Sequence, residues 1–381
     1  MVVTHLHVAG YRSVRDLDLD LSRVNVLVGA NGCGKSNLYR ALQLLAEAAQ
    51  GRLAPAFADE GGFPSALWAG KPVLDPVRMT VAATIDGAEY ALTCGLPTPD
   101  KYQIDPRKAG RDALPTAFCR DPEIKEERIV MASSGRKVEF LSRHGRRAVV
   151  VDQEGRRTDY PIELDRRESA LAQLLEPHRY PELGALRTEL ATWRFYHGFR
   201  TDLHSPIRVP QVGVFTPILH HDGRDCAAAL QTIIEHGNHD RVQELIRRAI
   251  PGARLRLAID RERAVFEIEL GMRGMTRPLR ARELSDGTLR YLCLIAALLS
   301  PRPASLLALN EPETSLHPDL IVPLAELIAD AARRSQLWVT THSRALADAI
   351  AAHGDSPPIE LQLVGGETRA TDHSRLGARR D

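Results

Sequence analysis

The stretch Val24–Ser36, VNVLVGANGCGKS, constrains this chain more than any other part of it. Five residues suited to a buried strand run into a turn with glycines at 29, 32 and 34, and apolar positions at Leu38, Leu42 and Leu45 follow at helical spacing. Strand, turn and helix in that order are the context in which GxxxxGK[ST] carries a mechanism. The glycines let the backbone curl so that its N–H groups face phosphate oxygens, and the helix directs its positive end there too. Lys35 can neutralise β and γ phosphates, and the Ser36 hydroxyl can sit on Mg²⁺. Cys33 fills a variable position and has no mark of a nucleophile.

Two further strand ends in the last third carry polar residues. In LLALNEPETSLHP, from Leu306, three leucines and an alanine deliver Asn310 and Glu311 to a carboxyl end. Such a strand holds an acidic side chain where it can address Mg²⁺ or polarise water. Glu311 is the candidate general base, while Glu313 beyond Pro312 suits a structural or partner-facing role better. In QLWVTTHS the strand ends on Thr341, His342 and Ser343. A lone histidine is usually an ordinary polar residue, but one strand after an acidic pair His342 is a candidate γ-phosphate sensor. Between phosphate turn and acidic pair stands ELSDGTLRYLCLIAALL, where Ser285 suits the N-cap of an apolar helix and Gly287 follows. Taken alone this is a capped helix.

The chain changes character along its length. Residues 1–50 form the first part with the phosphate turn. Residues 51–167 hold a Gly/Pro/Ala-rich stretch, 51–75, expected to be a loop, then short strands in hairpins from Arg78 to Thr158, with a proline-rich insertion over 97–122. Residues 168–250 read as a helical lobe, and 251–381 restore an alternation of strands and helices that predicts parallel strands. The first and last parts are expected to share one sheet.

Composition narrows the function classes. Fifty basic against 49 acidic side chains leave a formal charge of +1, so no global field draws the chain to nucleic acid or membrane. Five cysteines, an odd count without a CxxC pair, fit neither a disulfide framework nor a zinc site and suit a reducing compartment. The apolar run YLCLIAALLS is about half a bilayer span. A soluble cytoplasmic protein without membrane contact is the expectation.

With these motifs in order, the chain resembles the ABC-type ATPases of the RecF and SMC kind, and more closely the stand-alone AAA-family, RecF-like ATPases. The resemblance rests on VAGYRSVRDLDLDL, GANGCGKSNL, LSDGTLR as a signature segment, LLALNEPE as Walker B, SLHP as a D-loop and THS as a switch, together with the middle segment TPILHHDGRDCAAALQTI. It implies an α/β fold: an ABC-type P-loop ATPase head with a mixed or parallel sheet, an antiparallel β subdomain and an inserted, largely helical lobe. It implies ATP and Mg²⁺ as cofactors, with Gly29, Asn31, Gly32, Gly34, Lys35, Ser36 and Asn37 around the phosphates. Glu311, His342 and Lys35 would be catalytic, and Ser36 and Asn310 would address the metal. One phosphate turn and one signature segment per chain imply a homodimer, in which Ser285 and Gly287 of one copy reach the ATP of the other.

Some positions depart from that pattern. No coiled coil splits the head, the signature reads Ser-Asp-Gly, and no glutamine is clearly the Q-loop residue, although Gln103 lies in a suitable region. Asn310 stands where the pattern has Asp; it keeps an acceptor oxygen but loses a negative charge, which implies weaker metal binding and slow turnover. Two functions fit these residues. One is an ATP-driven dimerisation switch coupled to DNA maintenance or anti-phage defence, with basic pairs at Arg136-Lys137, Arg146-Arg147, Arg156-Arg157 and Arg166-Arg167 as a DNA face or merely a solvated strand surface. The other is a nucleotide-sensing partner of a separately encoded nuclease or toxin, with little turnover or DNA binding.

Overall fold

The computed structural model describes residues 1–71, 77–97, 118, 120–133, 135–354 and 356–371. Gln103 and most of the 97–122 insertion lie outside the described residues. The chain divides into two units: one takes Met1–Leu21, Ala30–Thr192 and the residues from Leu361 onward, the other Ser22–Gly29 and Trp193–Glu360.

The first unit is built on an antiparallel sheet of eight strands. They are β1 (Val3–Tyr11), β2 (Val14–Asp20), β4 (Arg78–Ile85), β5 (Ala88–Gly95), β6 (Glu123–Ser133), β7 (Arg136–His144), β8 (Arg147–Val151) and β9 (Arg157–Asp159), in the order β2-β1-β4-β5-β6-β7-β8-β9. Alternation sets the face: β4 buries Met79, Val81, Ala83 and Ile85. Helix α1 (Lys35–Ala49) buries Leu38, Leu42 and Leu45 and packs on α2 (Leu53–Asp59), α4 (Ala170–Gln173) and α5 (Pro181–Thr192).

The loop expected over 51–75 is corrected by the structure, which has α2 there and a turn of helix, α3 (Phe63–Ala66). Leu53 and Phe57 lie one turn apart and are buried, and Phe57 meets Phe63 edge to face at 5.0 Å. Burial of these side chains overrides the weak helix preference of the Gly/Pro-rich sequence. Deeper in the unit Glu127 and Arg143 are fully buried and paired at 3.2 Å. Glu127 also accepts from Tyr90 Oη at 3.0 Å, Ser169 Oγ and the Ala170 N–H, while Arg143 donates to the carbonyls of Gly145, Asp165 and Glu168. Each of the two charges is matched, and the pair ties α4 to the sheet.

The second unit holds the parallel strands. β10 (Arg194–Tyr196), β15 (Leu306–Asn310), β16 (Gln336–Thr341) and β3 (Val24–Val28) lie side by side in that order, with the start of β17 (Ile359–Val364) against β3. The expected sharing of one sheet by the two ends of the chain is therefore present, and β10 joins it from the middle segment. β15 and β16 are buried at every position, which is why they read as continuous apolar runs rather than alternating ones. β17 continues into the first unit, where it pairs with β18 (Glu367–Ala370) as an antiparallel hairpin. A smaller antiparallel sheet joins β11 (Gln211–Val212), β12 (Ala253–Asp260), β13 (Val265–Met272) and β14 (Leu279–Arg280).

Around the parallel strands stand α6 (Cys226–His236), α7 (His239–Ala249), α8 (Asp286–Leu298), α9 (Ile321–Ala331) and α10 (Arg344–Ala351). Helix α8 is buried at every position from Tyr291 through Leu298, as expected of a helix at the centre of a core. Each fully buried Leu or Ile in it contributes about 1.5–3 kcal/mol of transfer free energy. Among the described residues no helix is long and apolar enough to cross a membrane.

Candidate functional site

In the first unit the phosphate turn enters α1 through Gly34, at φ 104° and ψ 3°. This left-handed N-cap carries no side chain, so no capping oxygen competes for the first-turn N–H groups. By contrast α8 and α10 start on Ser285 and Ser343, whose hydroxyls accept from the Thr288 and Leu346 N–H groups at 3.2 Å each. An uncapped helix start with a curled loop before it suits an anion. The Lys35 ammonium lies inside the curl, donating to the Ala30 carbonyl at 3.0 Å, and Cys33 is buried. Asn31, Gly32 and Ser36 are exposed, whereas the Asn37 amide turns away from the turn and donates to Ser13 Oγ at 2.8 Å.

In the second unit three parallel strand ends are level. Val28 of β3 is in register with Thr341 of β16, and Thr340 is in register with Asn310 of β15. Gly29, which opens the phosphate turn, directly follows β3 in the chain. The structure thus brings Asn310, Glu311 and His342 to the same sheet edge as the strand leading into that turn.

Asn310 is buried, and its Oδ1 accepts from Thr340 Oγ1 at 2.6 Å. Glu311 has φ 45°, a left-handed conformation in a residue with a side chain. Its N–H donates to the Thr340 carbonyl at 2.8 Å and its carbonyl accepts from Arg290 at 2.8 Å, which hold the turn. His342 is half exposed, with Nδ1 3.7 Å from Glu311 Oε1 and 3.5 Å from Glu313 Oε1. Glu313 is buried and accepts from Thr341 Oγ1, which in turn accepts from the Ser343 N–H at 2.9 Å. Burial pushes the Arg290 guanidinium below its ordinary pKa, opposed by the nearby Glu313.

The signature segment has an internal reason for its glycine. A Cβ on Gly287 would overlap the carbonyl oxygen of Ser315, so this residue lets α8 lie against the turn after β15. Asp286, the middle residue of the Ser-Asp-Gly signature, is held by Arg208, a buried guanidinium that also donates to the Leu284 carbonyl at 2.8 Å and to the Thr201 carbonyl at 2.8 Å. Sequence reasoning missed Arg208 and Thr340, because nothing in the residues around them marks a functional role. Arg290 had a visible signal, as the only charge in the apolar run of α8 after Asp286.

The basic pairs are largely occupied. Lys137 meets Glu89 at 3.6 Å, Arg146 meets Glu163 at 3.3 Å, Arg156 meets Asp152 at 3.0 Å, Arg157 meets Glu139 at 3.0 Å and Arg166 meets Glu123 at 3.9 Å. Paired in this way they have the character of a solvated strand surface.

The fold is that of an SMC-type ATPase head, and the family matches place the chain among AAA ATPase-domain proteins, a nucleotide-binding class. The chain belongs to the family described as "AAA domain, putative AbiEii toxin, Type IV TA system", whose profile matches residues 132–348, and its residues 1–85 match the family described as "AAA ATPase domain". No curated protein matches the chain. Among solved structures it is similar to an SMC head bound to the C-terminal winged-helix domain of ScpA, with a TM-score of 0.54 at 16% identity over 97% of this chain and 98% of that one. A second is the SMC head domain with an extended coiled coil from Pyrococcus furiosus, bound to the C-terminal domain of ScpA, with a TM-score of 0.52 at 17% identity over 97% of this chain and 95% of that one. At such identities the likeness is one of fold.

Proposed function

We propose that this protein is a slowly hydrolysing ATPase that dimerises head to head around ATP and uses that switch in DNA maintenance or anti-phage defence. The observation that carries the reading is the level edge of β15, β16 and β3, with Asn310, Glu311 and His342 on two strand ends and the phosphate turn leaving the third. The Gly29–Ser36 turn takes the phosphates, with Gly29, Asn31, Gly32 and Gly34 shaping it and Lys35 supplying charge. Mg²⁺ would supply charge neutralisation at the phosphates, and Ser36 and Asn310 each offer a hard oxygen donor that would suit it. Glu311 accepts the proton of the attacking water, and His342 holds the terminal phosphate end. Ser285 and Gly287 face the nucleotide of a second copy.

A second reading, a nucleotide-sensing partner of a separately encoded nuclease or toxin, is favoured by two observations. The amide at Asn310 removes a metal-binding charge, and Arg146, Arg156, Arg157 and Arg166 of the basic pairs meet carboxylates. One experiment separates these readings from no switch at all: mass in solution and Mg²⁺-dependent phosphate release with ATP, for the native chain and Glu311→Gln. ATP-dependent dimers, trapped by Glu311→Gln, support the first reading. Dimers without measurable turnover support the second, and a monomer indifferent to ATP in both assays sinks both.

A further inference from the structure

The phosphate turn of the first unit is pinned from behind by a residue more than 300 positions away in the chain. Thr368 of β18 is buried, and its side chain lies so close to Gly34 that a Cβ there would come within 2.8 Å of the threonine methyl. Gly34 is required twice over, by its φ of 104° and by this approach. The Thr368 hydroxyl is bonded to Ser13 Oγ at 2.7 Å, and the Thr368 N–H donates to the Ser13 carbonyl at 2.7 Å. Ser13, in the turn between β1 and β2, accepts in addition from Asn37 Nδ2 at 2.8 Å. The chain of contacts runs from Gly34 through Thr368 and Ser13 to Asn37, and so closes around the first turn of α1.

We propose that Thr368 and Ser13 form a hydroxyl clamp that sets the phosphate turn for its nucleotide, and that Asn37 serves this clamp rather than touching the nucleotide. Both are positioning residues, and the proposal rests on the reading of Gly29–Ser36 as the ATP phosphate site. The physical reason is preorganisation. The N–H groups of Gly34, Lys35 and Ser36 bind phosphate only in the direction the backbone holds them, and a turn rich in glycine cannot hold itself. The bonds to Ser13 and the contact at Gly34 fix that direction at the start of the helix.

The test uses the full chain, with ATP as probe, and measures the ATP dissociation constant, KM, kcat and the melting temperature with and without ATP. Lys35→Ala serves as the control for the site itself. Thr368→Val keeps the shape and removes the hydroxyl; ATP affinity and KM should worsen about tenfold while kcat changes less than about twofold. Ser13→Ala should do the same, and the double variant should be no worse than either single one by more than about twofold, because both break one chain of bonds. Thr368→Ser should restore binding to within about twofold of the native protein. The nucleotide-free melting temperature should hold, with only the rise caused by ATP becoming smaller.

If the native chain binds ATP, Lys35→Ala does not, and Thr368→Val binds as the native chain does, the clamp is overturned and the site reading stands. If Thr368→Ser binds as poorly as Thr368→Val, the hydroxyl is not what matters and the clamp is likewise overturned. A native chain that fails to bind ATP overturns both.

Discussion

His342 Nδ1 lies 3.5 Å from Oε1 of Glu313 and 3.7 Å from Oε1 of Glu311, so one imidazole stands between two carboxylates of different character. Glu313 is buried and bonded to Thr341, whereas Glu311 is a third exposed at the tip of a turn in a left-handed conformation. The expectation is that the buried carboxylate orients the ring and the freer one serves a water. Glu311→Gln should lower kcat for ATP by about 10²–10⁴-fold with the dissociation constant of ATP little changed. Glu313→Gln should cost only about tenfold, as orientation rather than proton transfer is lost. Single-turnover phosphate release checks both, and equal losses would refute this division of labour.

Asn310 is expected to limit metal binding rather than nucleotide binding. Asn310→Asp restores a negative charge beside the Thr340 hydroxyl, which can donate to it as it does to the amide. The Mg²⁺ concentration for half-maximal turnover should fall about tenfold and kcat should rise, an effect of the size expected for one charge near a divalent ion at moderate dielectric. A Mg²⁺ titration of phosphate release decides it. Rates and midpoints equal to those of the native chain would show that the amide costs nothing.

The buried pair Glu127–Arg143 makes a stability prediction independent of nucleotide. Glu127→Ala leaves Arg143 charged and without its partner in the core, together with the Tyr90 and Ser169 hydroxyls. The cost should be about 3–5 kcal/mol in urea unfolding. A loss below about 1 kcal/mol would mean that water reaches the pair.

Gly287→Ala tests the packing of the signature helix. In an open helix this change gains up to about 1 kcal/mol from propensity. Here the added methyl meets the Ser315 carbonyl, and overpacking against backbone costs typically about 1–3 kcal/mol. A net loss of stability is expected, and a gain in melting temperature would show that the turn after β15 yields freely.

Glu283, two residues before Ser285, makes a pH prediction. Its bonds to Arg277 and then to the Arg280 N–H lower its pKa from the ordinary 4.5 to about 2. A depressed carboxylate contributes stability above its unfolded value and loses it as pH falls to the folded one. The stability gap between the native chain and Glu283→Gln should therefore be present near neutral pH and should close between 4.5 and about 2. Paired unfolding curves across that range measure it.

Much of this protein is legible in the sequence. The glycine spacing of 29–36 forces a turn between strand and helix, because glycine alone tolerates the left-handed step at Gly34 without strain. The continuous apolar runs ending on Asn310 and Thr341 suit strands covered on both faces, and both are buried throughout. Those patterns are local, and local sterics and burial periodicity carry them. The loop expected over 51–75 fails because burial of Leu53, Phe57 and Phe63 overrides the weak helix preference of the Gly/Pro-rich sequence there.

Which distant side chains support those motifs is settled only when the chain folds. Arg208 under Asp286, Thr340 on Asn310, Glu313 against His342 and Thr368 behind Gly34 join positions between 29 and more than 300 residues apart. Each is a single polar or close-packed contact without periodicity, so it leaves no repeating mark in the chain. The chain alone marks a glycine-rich turn before a helix, an acidic strand end and a histidine after the next strand. The fold decided how firmly each is held, because burial and the meeting of remote hydroxyls, carboxylates and guanidinium groups exist only once the chain has folded.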